Sequence, residues 1–287
     1  MSQYCLNIAC PDGPGIVAKV SKDLFEGGMN ILESHQFGDP NSGRFFMRVA
    51  FSHSAADTDP RASLEIFLND FETTAKAFSM DWQIYPMLDV PNVILMVSKF
   101  DHCLVDLIYR TRIGSLKMNI VAVVGNHESA RKPVEDADIP FHFWSHNELS
   151  KAQVEDRLSQ LVGDENVDLI ILARYMQILS PEFTNTMPGR IINIHHSFLP
   201  SFKGAVPYSR AFERGVKMIG ATAHFVTGDL DEGPIIAQGV ADIRHDMSVS
   251  DLIDVGRDVE RRTLAKAVKL YTQRRVLLNG IKTVVFE

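Results

Sequence analysis

Four runs in the second part of the chain are apolar at nearly every position: PNVILMVS (91–98), NIVAVVGN (119–126), VDLIILAR (167–174) and GRIINI (189–194). A strand with one face in water alternates apolar and polar residues. A run without alternation marks a strand buried on both faces, as in a parallel sheet covered by helices. Helical stretches separate the runs, and strand alternating with helix specifies an α/β domain with a mostly parallel sheet. After Gly220, ATAHFV and GPIIAQGVADI read as a hairpin-like addition, and VSDLIDVGRDVERRTLAKAVKLYTQRR as a long closing helix.

The pattern is different before about Leu88. YCLNIAC reads as a strand, and PDGPG as a turn. IVAKVSKDLFEGGMN reads as a helix, with Ile16, Val17, Val20, Leu24 and Phe25 near helical spacing and Gly27-Gly28 as its stop. NILESHQFGD and RFFMRVAFS follow as strands about the turn DPNSG, then a helix over DPRASLEIFLNDFETTAKAFSM and a strand DWQIYPM. The order is βαββαβ. The chain is therefore expected to divide into residues 1–86 and 87–287.

The 287 residues are 45% hydrophobic and 23% charged, which is ordinary globular composition. A net charge of −7 argues against non-specific nucleic-acid binding and against an anionic membrane surface. Cys5, Cys10 and Cys103 share no metal or redox spacing, so a reducing compartment is expected. MSQYCLNIACPDGPG lacks the pattern of a secretory signal, and no run approaches the roughly 18 apolar residues of a membrane span. The expectation is a cytoplasmic protein.

Ligands of open α/β sheets bind beyond the carboxyl ends of the strands. The run RIINI leads there into NIHHSFLPSFKG, Asn193 to Gly204. On a strand, Asn193 and His195 share a face and His196 points away. The stretch thus offers an amide, which donates without changing charge, beside an imidazole, which exchanges a proton near neutral pH. HFVTGDLDEGPII adds Asp229, Asp231 and Glu232 in a turn, and a carboxylate beside a histidine stabilises its cation. Acyl-transfer chemistry needs such a donor and such a proton carrier. The same residues also suit plain structural uses, since Asn and Asp form turns and a lone histidine is often a core residue. Adjacent histidines diverge on a strand, so no metal site is expected.

NIHHSFLPSFKG followed by GATAHFVTGDLDEGPIIAQ, with LARYMQILSP upstream, resembles the folate-dependent formyl transferases. Those enzymes share an Asn-x-His strand end, a Leu-Pro-x-x-x-Gly loop and a later Asp. The resemblance implies a Rossmann-like domain with catalytic Asn193, His195 and Asp231, and with His224 in support. It also implies a pterin pocket walled by Met176, Gln177, Ile178 and Leu179 on one side and Thr227, Gly228 and Asp229 on the other.

The βαββαβ unit with PDGPGIVAKVS looks like an ACT domain, a ferredoxin-like module that senses amino acids and pairs subunits. Asp12, Gly13, Pro14 and Gly15 would bind the effector at a helix N-terminus, with glycine or methionine as candidates. Alternatively, the module only holds subunits together. The combination, with VSKFDHCLVDLIYR at the junction, is similar to the formyltetrahydrofolate deformylase branch of the family. That branch implies hydrolysis of 10-formyltetrahydrofolate to tetrahydrofolate and formate for one-carbon and purine metabolism, with no metal or organic cofactor and with homo-oligomers.

An alternative is transfer of the formyl group to an amine acceptor. The glycinamide ribonucleotide branch has a Gly-rich phosphate cradle after the first strand, where this chain has SKFDHC, Ser98 to Cys103, with no glycine. Lys99 could still attract an anion. His196 stands where transferases commonly carry Pro. Both departures favour water as the acceptor.

Overall fold

The computed structural model describes residues 3–53, 60–199 and 207–287. Pro200 to Gly204 of the histidine loop, and Asp59 at the start of the second expected helix, lie outside these residues.

The chain forms two units. In the first, β1 (Gln3–Pro11), α1 (Ile16–Glu26), β2 (Met29–Asp39), β3 (Arg44–His53), α2 (Pro60–Ala77) and β4 (Asp81–Pro86) follow the βαββαβ order. The antiparallel sheet runs β2-β3-β1-β4. Its helix-covered face packs Leu6, Ile8, Met47, Val49 and Phe51 against Val20, Leu24, Phe67 and Phe71. Gly28, at φ 72°, turns the chain out of α1 in the left-handed conformation that glycine adopts without strain.

The second unit contains β5 (Asn92–Val97), α3 (His102–Arg112), β6 (Asn119–Gly125), α4 (Arg131–Glu135), β7 (Phe141–Phe143) and α5 (Lys151–Asp164). It continues with β8 (Leu169–Leu172), α6 (Pro181–Thr184), β9 (Ile191–His195), α7 (Pro207–Glu213), β10 (Met218–Phe225), β11 (Ile235–Asp242) and α8 (Val249–Thr272). The sheet order is β11-β10-β9-β8-β5-β6-β7, parallel from β9 to β7 and antiparallel at β10 and β11. The four apolar runs are β5, β6, β8 and β9. The fifth parallel strand, β7, has only three residues and no run to announce it. Strand order reverses between β5 and β8, which places a topological switch point at their carboxyl ends.

The division at 87–287 needs a correction. Residues 273–279 and 284–287 belong to the first unit. They include most of a hairpin, β12 (Val276–Asn279) and β13 (Lys282–Val285), that follows the long helix. Leu277, Val284 and Phe286 bury Phe46, which points away from α1 and α2. Arg48, on the same face of β3 and 1% exposed, donates to Glu33 (2.7 Å) and to the Gln273 carbonyl (3.1 Å), and Arg275 also reaches Glu33 (2.8 Å). The face that an antiparallel sheet can leave in water is thus covered by residues far away in sequence. Among the described residues, no helix is long and apolar enough to cross a membrane.

Candidate active site

Strand β9 ends on His195, with Asn193 two residues earlier on the same face. Its antiparallel partner β10 sets His224 opposite Asn193 and Thr222 opposite His195. Directly opposed residues share a face, so His224 joins the pair. The Asn193 amide nitrogen lies 3.3 Å from His224 Nε2. Thr222, fully buried, fastens the chain beyond β9: its hydroxyl donates to the Ser197 carbonyl (3.0 Å) and accepts from the Leu199 amide (3.1 Å). Gln238 on β11 donates to Thr222 and to the Leu199 carbonyl, both at 3.1 Å.

The turn between β10 and β11 delivers the carboxylate. Gly233 has no room for a side chain, because a Cβ there would stand 1.8 Å from the Phe225 carbonyl oxygen. Asp231 adopts φ 56°, a left-handed conformation that Asp tolerates better than most residues. Its Oδ2 lies 3.2 Å from His195 Nδ1 and its Oδ1 lies 3.6 Å from His224 Nε2. Of the three turn acids, Asp231 is the one that meets the histidines; Asp229 and Glu232 are exposed. Burial acts to raise the Asp231 carboxyl pKa, but hydrogen bonds from His195 and His224 outweigh it. They hold the group well below the usual carboxylate range. Asp231 is therefore ionised and fixes the His195 proton on Nδ1. Nε2 is left toward Ser197 Oγ at 2.8 Å. His224 Nδ1 faces the Phe225 carbonyl at 2.8 Å, so that nitrogen carries a hydrogen. With the ring neutral, Nε2 accepts from Asn193, whose second N–H meets no acceptor among the described residues; with the ring protonated, Nε2 donates toward Asp231 instead.

Gly228 lies close to Pro181, two residues beyond Leu179, where a Cβ would stand 3.2 Å away. Met176, Gln177, Ile178, Thr227, Gly228 and Asp229 are exposed. Leu179 differs, packing in the core beside Tyr175 and Phe183 at 5% exposure. Ser180 ends this segment as the cap of α6, and its amide and hydroxyl both donate to Glu155. A cavity of about 280 Å³ lies on the other side of the histidine stretch, lined by His196, Phe198, Tyr208, Met218 and Val240. It does not include Asn193 or Asp231.

A second polar cluster is not foreseen from the sequence. Glu260 on α8, 1% exposed, accepts from Tyr208 Oη (2.6 Å) and lies 2.7 Å from His102 Nε2 and 3.4 Å from Arg174 Nε. His102, Cys103 and Glu260 bring three potential metal-binding atoms within 4.8 Å of one another. The adjoining Arg174 cation and the direct His102–Glu260 contact make this an ion-pair cluster. Cys103 is core, and burial pushes its thiol well up. His196 is driven down to about 4, first by burial and then by the Arg174 charge, so it is neutral at pH 7. Lys99 is exposed. The signals for this cluster are faint: Arg174 ends an apolar run, and Glu260 is hidden among the charges of DVERR.

In the first unit, Asp12 to Gly15 form an exposed turn before α1, whose N-terminus has no side-chain cap. The Asp12 carboxylate lies over Gly38, where a Cβ would be 2.7 Å away.

Residues 91–268 match the formyl transferase family model. The chain is 48% identical to the formyltetrahydrofolate deformylase of Bacillus subtilis, over 98% of this chain and 93% of that one. Its fold is similar to the crystal structure of the Burkholderia mallei formyltetrahydrofolate deformylase, with a TM-score of 0.93, 45% identity and complete coverage of both chains. A glycinamide ribonucleotide transformylase from Symbiobacterium toebii matches more distantly, with a TM-score of 0.66 and 26% identity over 71% of this chain and 97% of that one.

Proposed function

Because the chain belongs to the formyl transferase family and, within it, to the formyltetrahydrofolate deformylases, we propose that it hydrolyses 10-formyltetrahydrofolate through Asn193, His195 and Asp231. The products are tetrahydrofolate and formate. The observation that carries the assignment of residues is the 3.2 Å contact of His195 with an ionised Asp231, beside the Asn193 amide at the same strand end. His195 Nε2 takes a proton as the water oxygen bonds to the formyl carbon. The free N–H of Asn193 donates to the oxyanion that forms. The proton then passes to the folate nitrogen as the C–N bond breaks, and formate leaves as its anion with one proton released. Asp231 stabilises the His195 cation between the two transfers.

The loop after β5 supports water as the acceptor. Exposed Phe100 and half-buried Asp101 occupy it, and His102 is drawn inward onto Glu260. No glycine is present to let backbone amides close around a phosphate. The chemistry assigned here asks for no metal or added cofactor, and full activity after chelation is expected.

The test is formate release from 10-formyltetrahydrofolate with no amine acceptor present. Stoichiometric formate, lost in His195→Ala, supports the reading; turnover that depends on an added amine would replace it with the transferase.

The finer roles belong to the same proposal. The first unit would bind glycine or methionine at Asp12, Gly13, Pro14 and Gly15, where uncapped N–H groups can receive a carboxylate. The enzyme would be a cytoplasmic homo-oligomer. Calorimetric titration with both amino acids checks the first point, since absence of heat would leave the unit a purely structural role.

A further inference from the structure

Arg174 combines a left-handed backbone with a buried, unsatisfied side-chain nitrogen. It lies two residues beyond β8, at the switch point, and its carbonyl accepts from the Ser98 amide at 3.2 Å, joining the ends of β5 and β8. Its φ is 67°, a conformation that disfavours an L residue other than Asn or Asp. It is 9% exposed, yet among the described residues none of its guanidinium nitrogens makes a hydrogen bond. Nε only approaches Glu260, at 3.4 Å. Glu260 already receives Tyr208 and His102, so it secures Arg174 by charge, and among the described residues the terminal N–H fork meets no acceptor. His196, next to catalytic His195, also has a buried Nδ1 without a partner. Strain and unsatisfied buried polar atoms in one place mark a functional site.

We propose that the Arg174 fork, with His196 Nδ1–H beside it, is a subsite for a small planar carboxylate, occupied in turnover by the formate product. A guanidinium matches a carboxylate with two parallel N–H donors, which an ammonium cannot do. A neutral His196 can carry its hydrogen on Nδ1 and so offer a donor without a second charge. Arg174 would thus draw formate away from the reacting centre as it forms. The proposal rests on the deformylase reading for the identity of the anion, while the subsite itself rests on geometry.

The experiment is calorimetric titration of sodium formate, at ionic strength held constant with chloride, into the wild type, Arg174→Lys and Arg174→Gly. Glycine suits the positive φ, and thermal melts verify folding of both variants. One-to-one binding to the wild type is expected, weakened at least tenfold in Arg174→Gly and by less in Arg174→Lys. Product inhibition by formate should weaken in parallel. A wild type that binds no formate, or an affinity unchanged in both variants, overturns the proposal. A second arm uses p-aminobenzoylglutamate, which carries the glutamate carboxylates of folate. If Arg174→Gly loses this compound and keeps formate, the subsite serves the folate tail and the formate assignment fails. The acceptor-free formate assay on the wild type tests the deformylase reading separately.

Discussion

Asp231 and Glu260 are both shielded carboxylates that face imidazoles, but their surroundings differ. Glu260 sits inside α8 at 1% exposure, with donors from two other elements at 2.6 and 2.7 Å. Asp231 sits on a turn, its side chain 15% exposed, with histidine contacts of 3.2 and 3.6 Å. In both, burial raises the carboxyl pKa and hydrogen-bonding partners bring it back below the usual range. The charge chemistry is similar while the tightness is not. The closed cluster holds elements together, and the looser one leaves an imidazole free to exchange a proton.

The contrast breaks if the two carboxylates respond alike to substitution. Glu260→Gln strands the Arg174 cation in a buried site and should cost about 3–5 kcal/mol of stability in urea unfolding, while lowering kcat less than changes at Asp231 do. Asp231→Ala should have the reverse profile. Its turnover should fall on the order of 100-fold, about 2.7 kcal/mol of barrier, while stability moves by no more than about 1–2 kcal/mol. A folded Asp231→Ala enzyme with near-normal turnover would remove the catalytic side of the comparison. Tyr208→Phe deletes one donor to the closed cluster and should cost about 2 kcal/mol, read from the same unfolding curves.

A further comparison concerns His196, which lies near both clusters. Its folded pKa of about 4 lies below the unfolded value near 6.5, so the unfolded chain binds the extra proton in that window. Stability from the neutral ring is complete above pH 6.5 and is lost as pH falls toward 4. Unfolding midpoints between pH 7 and 4.5 should therefore fall more steeply in the wild type than in His196→Asn. Equal slopes would show that the ring titrates normally.

The open site was far more legible in the sequence than the closed one. Asn193, His195 and Asp231 lie within one strand, one turn and 39 positions, so strand alternation and a family pattern were enough to bring them together. His102 and Glu260 are 158 positions apart, and nothing local ties them. On α8, Glu260 follows Val259 and precedes two arginines, so it reads as one more charge of a solvated face. The apolar runs announced four of the five parallel strands because burial on both faces leaves a compositional trace. The last hairpin carried a readable sign in Asn279-Gly280, with Gly280 at φ 61°. That sign did not reveal that most of the hairpin belongs to the first unit, which depends on Phe46 and Arg48 more than 200 positions upstream.

That return of residues 273–279 and 284–287 has a consequence for synthesis on the ribosome. A nascent chain can form β1 to β4 early, but the Phe46 face of that sheet lacks its cover until residues 273–287 emerge. At about 5–20 residues per second, the remaining stretch takes on the order of 10–40 s. Throughout that interval the first unit presents an apolar surface and an Arg48 that lacks part of its hydrogen bonding. The nascent enzyme's exposure to misassembly is therefore set by when residues 273–287 emerge rather than by the folding of the first unit's own strands.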